Sequence, residues 1–365
     1  MTLIEHLSVI KDTRSDINQK HDLVDVMFLV ITAIMAGAEG WQDIETYGQG
    51  KSEWLKQYRE FKHGIPRRHT IARILKGLVP ETLLEALINW VNENRKSQGK
   101  PLIALDGKVL RGAYRGNPQS ALQLVTAYDT ENGLVLSQKA TATKTSEITT
   151  VRDMLSVLNI QGAVVTVDAL HCQRETLEQI REQKGHVVVQ VKGNQGQLKK
   201  AIEQQFDEYF KKPKATPVIE LKEKGHGRIE ERNVFQLKAK LPPELSEKWP
   251  TIRSFIAVER LRTVKGKTTI DTSFYVSSLS PKHKSLHHYI RQHWRIENSQ
   301  HYVLDVVFNE DKSRIVMDGA VEHMALFKRF VMNILRQCND DSPSQRQKLK
   351  RATWSDDYRA QLLFG

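Results

Sequence analysis

Apolar positions recur at helical spacing through residues 22–98, in "DLVDVMFLVITAIMAG", "WQDIETYGQGKSEWLKQY", "HTIARILKGL" and "PETLLEALINWVNENRK". Residues three and four apart share a helix face, so this stretch predicts a small all-helical unit, with Asp22 placed to cap its first helix. From residue 101 the period shortens. "PLIALDG", "ALQLVTAYD", "GLVLSQKATA", "AVVTVDA" and "HVVVQVKG" are short runs rich in Val, Leu, Ile and Thr, parted by turn residues such as Asn132 and Gly133. They predict strands. Helical spacing returns in "TSEITTVRDMLSVLN", with Thr145 or Ser146 as cap and Glu147 in the first turn, and again in "CQRETLEQIREQ".

Three strands, a helix, a strand, a helix and a strand make a meander followed by right-handed crossovers, an order that matches the ribonuclease H-like α/β fold. Beyond the helix "QGQLKKAIEQQFDEYFKK" and the break "KKPKATP", four strand-like segments predict a β-rich insertion. The pattern is helical again from Lys284 and from about Asp318 to Cys338. The expected divisions are an N-terminal helical domain over 1–98, the first part of the core over 99–212 and the insertion over 213–282. The core resumes over 283–338, and 339–365 is a C-terminal tail whose polar run "DDSPSQRQKLKR" reads as mobile.

Charge adds a partner. A net charge of +12 and a pI near 9.5 favour a polyanion, because Lys and Arg displace the counterions condensed on a phosphate backbone. Double-stranded DNA is the first expectation, with a merely solvated basic surface as the alternative. Two cysteines in 365 residues make no disulfide framework and fit a reducing cytoplasm, and no Cys/His metal cluster is available. The most apolar stretch, Val26 to Ala38, lies between Asp25 and Glu39 and falls short of the ~18 residues of a membrane span, so a buried helix and no membrane partner are expected. No export signal is expected from "MTLIEHLSVIKDTRSD".

Two acids leave apolar runs, Asp106 at "IALDG" and Asp168 at "VTVDA". On neighbouring strands their carboxylates would repel unless a cation neutralised them, and carboxylate oxygen suits Mg²⁺ or Mn²⁺. Singly, each reads as a turn residue. In "HWRIENSQHYVLDVVFNED", Glu297 falls on the helical stripe of Trp294, Leu304 and Phe308, where an unpaired buried carboxylate would cost roughly several kcal/mol. A metal at the sheet edge would remove that cost, and so would an ion pair with Arg291, Arg295 or a neighbouring histidine.

The blocks "IALDGKVLRGA", "VVTVDALHCQ", "VVVQVKGNQ", "GHGRIEERNV" and "YIRQHWRIENSQHYVLDVVFNEDKSRI" closely resemble the DDE transposases of bacterial insertion sequences, in the ISAs-type group that includes the H-repeat-associated proteins. The resemblance runs from about residue 20 to residue 338. It implies that Asp106, Asp168 and Glu297 form the catalytic triad and hold two Mg²⁺ (or Mn²⁺) ions. It further implies cleavage at the ends of an element, strand transfer into target DNA, and a homodimer or larger assembly on double-stranded DNA, at the nucleoid of a bacterial cytoplasm. Where related transposases carry Arg and Lys around the last acid, this chain has His293 and Leu304, and Arg291 or His301 is then expected to supply part of the phosphate contact. A catalytically inactive, repurposed DNA-binding derivative is the competing reading.

Further contacts follow from position. Lys108 and Arg111 after the first acid, and Lys192, Asn194 and Gln195 after the fifth strand, are expected at DNA phosphates, with solvated turn charges as the alternative. His226 and Arg228 in "GHGRIE" are expected near the scissile phosphate, at a hairpin of the insertion. Between Trp54 and Lys76 lie Lys56, Arg59, Lys62, Arg67, Arg68, Arg73 and Lys76 against one acid, Glu60, a stripe expected to bind element ends in helix-turn-helix fashion. Cys172 reads as a small buried residue, with a reactive thiol as the alternative. Asp305, Glu310 and Asp311 read as supporting or helix-end acids.

Overall fold

A computed structural model describes residues 2–15, 17, 19–94, 101–114, 121–141, 144–213, 215–225, 227–316, 319–338 and 344–365. Thr2 and Glu5 close a capping box on α1 (Leu3–Ser8), and Asp22 caps α2 (Leu23–Met35) by accepting from the Asp25 amide at 3.0 Å. All of α2 except Val24 is buried, as its unbroken apolar run requires. Each such large side chain contributes roughly 1.5–3 kcal/mol by leaving water. α3 (Trp41–Gly50), α4 (Ser52–Leu55), α5 (Arg68–Lys76) and α6 (Pro80–Asn94) complete this helical segment. Glu45 of α3 caps α5 from outside, accepting from the Arg68 amide at 2.7 Å. Residues 51–67 and α4 separate α3 from α5, so the tight turn of a helix-turn-helix is not formed. Among the described residues no helix is long and apolar enough to cross a membrane.

Strand alternation then sorts side chains between two faces. β1 (Leu102–Val109) pairs antiparallel with β2 (Gln123–Asp129), and β2 with β3 (Leu134–Thr141) across Gly133, which takes a φ of +73°. α7 (Lys144–Val157) leads to β4 (Val164–Val167), parallel beside β1, and α8 (Arg174–Glu182) to β5 (His186–Val191), parallel beside β4. Ile103, Leu105, Val165 and Val167 face α7, α8 and the following α9 (Gly196–Phe210). Ala104 joins the other core, with the N-terminal helices, so Asp106, two residues on, looks to that side as well.

The expected insertion has its strands, but they extend the same sheet. β6 (Ile219–Gly225), β7 (Arg228–Lys238), β8 (Ser254–Val264) and β9 (Lys267–Ser277) run antiparallel, with α10 (Pro243–Lys248) between β7 and β8. β9 pairs with β5, giving one nine-stranded sheet in the order β3-β2-β1-β4-β5-β9-β8-β7-β6. The chain then crosses the face of Val188 and Ile256 as α11 (Leu286–His293), a π-helical turn (Ile296–His301) and α12 (Tyr302–Val306). α13 (Ala320–Gln337) packs against β3 and the N-terminal helices, stitched to Val135 by Asn333, which accepts from its amide at 2.9 Å and donates to its carbonyl at 3.0 Å.

The expected tail is helical from Gln345, while 339–343 lie outside the described residues. Residues 345–354 and 356–364 form α14 (Gln345–Trp354) and α15 (Asp356–Phe364), which fold back on the N-terminal helices. Phe364 stacks on Tyr58 with ring centroids 4.7 Å apart, and the fully buried Arg359 lies 4.9 Å over the Trp54 ring. Among the many charges, Leu349, Ala352, Tyr358, Leu362 and Leu363 form an apolar stripe.

Candidate active site

The parallel ladder between β1 and β4 ends at Leu105 opposite Val167, so the next residue on each strand, Asp106 and Asp168, stands beside the other at about the 4.8 Å strand spacing. Asp106 does not end its strand. β1 runs on to Val109, paired there with β2 alone. Asp168 accepts from the Leu170 amide at 2.9 Å and so opens a 3-10 turn, Ala169–His171. Glu297 approaches from the π turn.

That turn corrects the expected helical phase. The buried row is Ile296, Gln300, Leu304 and Phe308, spaced by four, while Trp294 and Glu297 are exposed. A π turn admits an extra residue, so the positions after it rotate by about 100° relative to a continuous α-helix. Glu297 therefore sits off the buried stripe, on the rim of a cleft of about 120 Å³ that Asp106, Asp168, Lys192 and His293 also line. It carries no burial penalty.

The cost falls on Asp106, one-fifth exposed, whose carboxyl is pushed up to about 7 by burial and then by the charges of Asp168, Glu297 and, more weakly, Glu147. His293 Nδ1 lies 3.0 Å from Thr166 Oγ1, and burial drops this imidazole to about 4. His301 Nδ1 stands 3.7 Å from Asp106 Oδ2, and burial, with Arg329 and Lys108 nearby, drops it to about 3. Both rings are neutral at pH 7 and present hydrogen-bonding groups rather than cations. Oxygen donors that repel one another are the chemistry a divalent cation relieves, and the set suits Mg²⁺ or Mn²⁺. Among the described residues, no three acidic, imidazole or thiol groups are yet drawn together tightly enough to hold one ion.

A family model described as "Transposase DDE domain" matches residues 97–334, and one described as "DDE_Tnp_1-associated" matches residues 4–91. The chain belongs to the DDE transposase family. The "H repeat-associated putative transposase YhhI" of Escherichia coli (strain K12) is 34% identical to it, over 100% of this chain and 98% of that one. The "Putative transposase YncI" of Escherichia coli O157:H7 is 33% identical, over 99% and 94% respectively. A solved piggyBac transposase synaptic complex with hairpin DNA aligns at a TM-score of 0.43 and 10% identity, covering 100% of this chain and 79% of that one.

The other expected DNA contacts of this transposase fare unequally. Lys108 is 7% exposed, and its ammonium lies 2.8 Å from both Asp305 and Asp311 and 3.7 Å from Glu310, so it is spent inside an ion cluster rather than offered to a phosphate. Asn194 donates to the Ala169 carbonyl at 2.7 Å and Gln195 to the Cys172 carbonyl at 2.9 Å; these amides pin the turn after Asp168. Lys192 is exposed on the cleft, and Arg111 is 82% exposed, 3.6 Å from Asp311. Arg291 pairs with Glu223 of β6 at 2.7 Å and faces a separate cleft of about 700 Å³ beneath β7–β9. Arg228 pairs with Glu230 at 2.7 Å, and His226 lies outside the described residues. On α5 and its cap, Arg67 reaches Glu45, Arg68 reaches Gln42, and Arg73 is exposed.

Gln123, Glu147 and His171 form a buried polar group behind the two aspartates, of which the sequence marked Glu147 alone, as a first-turn acid. The unread signals were a glycine directly after Asp106 and a histidine three residues after Asp168. Cys172 is fully buried, and burial pushes its thiol up to about 12, so it is inert.

Proposed function

We propose that this transposase cuts double-stranded DNA at the ends of its element and joins those ends to target DNA by metal-dependent phosphoryl transfer, with Asp106, Asp168 and Glu297 as catalytic residues and ligands. The observation that carries this reading is the shared cleft. Two acids at the end of one parallel ladder and a third on a π turn face each other closely enough for burial and mutual repulsion to lift Asp106 to about 7. The reading takes β3-β2-β1-β4-β5 as a ribonuclease H-like core, β6–β9 as its insertion and residues 1–98 as an N-terminal DNA-binding domain.

Two Mg²⁺ or Mn²⁺ ions, when bound, supply the activation of the attacking oxygen and the stabilisation of the leaving one. The protein's own part is placement. Asp106, Asp168 and Glu297, which line the cleft, would hold the ions, and Asp106 would give up its proton on their binding. Neutral His293, held on Thr166, lines the cleft without adding charge. Lys192 and Arg111 are left to hold backbone phosphates, and Arg67, Arg68 and Arg73 hold the element end. Two ends call for a homodimer or larger assembly, working at the nucleoid of the bacterial cytoplasm.

The test is purified protein, a duplex bearing the terminal repeat, and Mg²⁺ or Mn²⁺. Cleavage at the end that Asp106→Asn abolishes, with DNA binding intact, is the expected result. Binding without cleavage under either ion would leave the chain a DNA-binding derivative, and equal cutting of DNA lacking the repeat would make it a nonspecific nuclease.

A further inference from the structure

The Glu147 cluster has no part in the reaction as described, yet it reaches the strand paired with β1 and the turn that Asp168 opens. Glu147, in the first turn of α7, is 6% exposed. One carboxylate oxygen lies 3.1 Å from His171 Nε2, and the other accepts from Gln123 Nε2 at 2.5 Å. Gln123 opens β2, in register with Val109 of β1. His171 closes the turn that Asp168 opens, and its Nε2 is 3.8 Å from Asp168 Oδ1. Glu147 thus joins the strand pair of Asp106 to the turn of Asp168 from the far face of the sheet.

Position 107 records how closely this fits. A Cβ there would stand 2.7 Å from Glu147 Oε1 and 2.9 Å from Gln123 Nε2, so the glycine after Asp106 leaves room for the carboxylate. No Lys or Arg is within ion-pairing distance of Glu147 among the described contacts; its partners are an amide and an imidazole. Packing alone does not call for a carboxylate here, since apolar side chains of similar volume would hold the place as well. The His171 ring is steered from Nε2, because its Nδ1 is buried without a partner.

We propose that Glu147, acting through His171, is a positioning residue that sets the orientation of Asp168 and its spacing from Asp106. This rests on the catalytic reading above. Without the carboxylate, the described contacts leave Asp168 as the polar neighbour of His171 Nε2, and the ring is free to swing and take the aspartate with it.

The experiment compares full-length wild type, Asp106→Asn, Glu147→Ala and Glu147→Gln for cleavage of terminal-repeat duplex, and measures Mn²⁺ binding to the DNA-free proteins by calorimetry. Glu147→Ala is expected to lower kcat and weaken Mn²⁺ binding each on the order of 10- to 100-fold, the range that supporting partners carry at metal sites, with KM for DNA unchanged. Glu147→Gln keeps the side chain's size and one of its two acceptor oxygens, and is expected to recover part of each loss. Folded Glu147 variants that cleave and bind Mn²⁺ like wild type overturn the positioning role. So does a rate loss matched by equal losses in DNA binding and unfolding temperature, which marks a structural residue. If wild type itself does not cut, the catalytic reading falls first; if wild type cuts and Asp106→Asn does not, only the Glu147 inference is at stake.

Discussion

Replacing Asp106 with Asn should make the ion-free protein more stable in mild alkali, and the geometry says by how much. The carboxyl of Asp106 rises from 3.8 to about 7 because it is buried beside Asp168 and Glu297. The folded state therefore binds this proton more tightly than the unfolded state. Stability from it is fully present below about pH 4 and is lost as pH climbs through about 7. At pH 5, some hundredfold in proton concentration above the folded midpoint, the bound proton still stabilises the fold by ~3 kcal/mol, since each tenfold is worth about 1.4 kcal/mol. By pH 8.5 almost none of that remains. Coupling between crowded acids trims the figure to roughly 1.5–3 kcal/mol. An asparagine has no proton to lose, so the gap in favour of Asp106→Asn should open by that amount over this interval. The assay is thermal unfolding in EDTA at both pH values, where the gap should widen by roughly 2–4 °C. Adding Mn²⁺ at pH 8.5 should raise the wild type and leave the variant behind. A gap equal at both pH values would refute the claim that the three acids crowd one cleft.

Lys108→Met should destabilise the fold by about 3 kcal/mol, because Asp305, Asp311 and the buried Glu310 lose their shared cation; the salt dependence of DNA binding, measured on protein that remains folded, should not change. Arg73→Gln, at an exposed position on α5, should weaken binding to element ends and reduce the log–log salt slope by about 1, read by fluorescence anisotropy across salt concentrations. Arg359→Ala should cost about 2–5 kcal/mol by emptying the buried space over Trp54 and leaving Asp356 with Lys51 as its ion-pair partner, and should speed proteolysis of the α14–α15 segment. Cys172, with its thiol pushed up to about 12, should resist iodoacetamide at pH 8 until the protein is unfolded.

What could be read along the chain was whatever depends on neighbours a few residues away. Apolar runs of period two marked β1 to β5 in their order, and the same period explains why Asp106 looks away from α7 while Gly107 makes room for Glu147. The unbroken apolar run of α2 foretold its burial. Asp106 and Asp168 were legible as acids leaving apolar runs, but that the β1–β4 ladder closes at Leu105 and Val167 just before them is a register only the structure gives.

Tertiary structure decided the rest, because it depends on where distant segments meet. A π turn in place of one α turn moved Glu297 from the buried stripe to the cleft rim. Lys108 looked free until Asp305, Glu310 and Asp311 arrived from some 200 residues away, and Asn194 and Gln195 turned from surface amides into ties on the Asp168 turn. The tail over 339–365 read as mobile from its polar run, yet Arg359 and Phe364 in it meet Trp54 and Tyr58 near the other end of the chain. Periodicity is a local property and survives in a one-dimensional string. Whether a charge meets solvent or its opposite is settled only when the chain closes on itself.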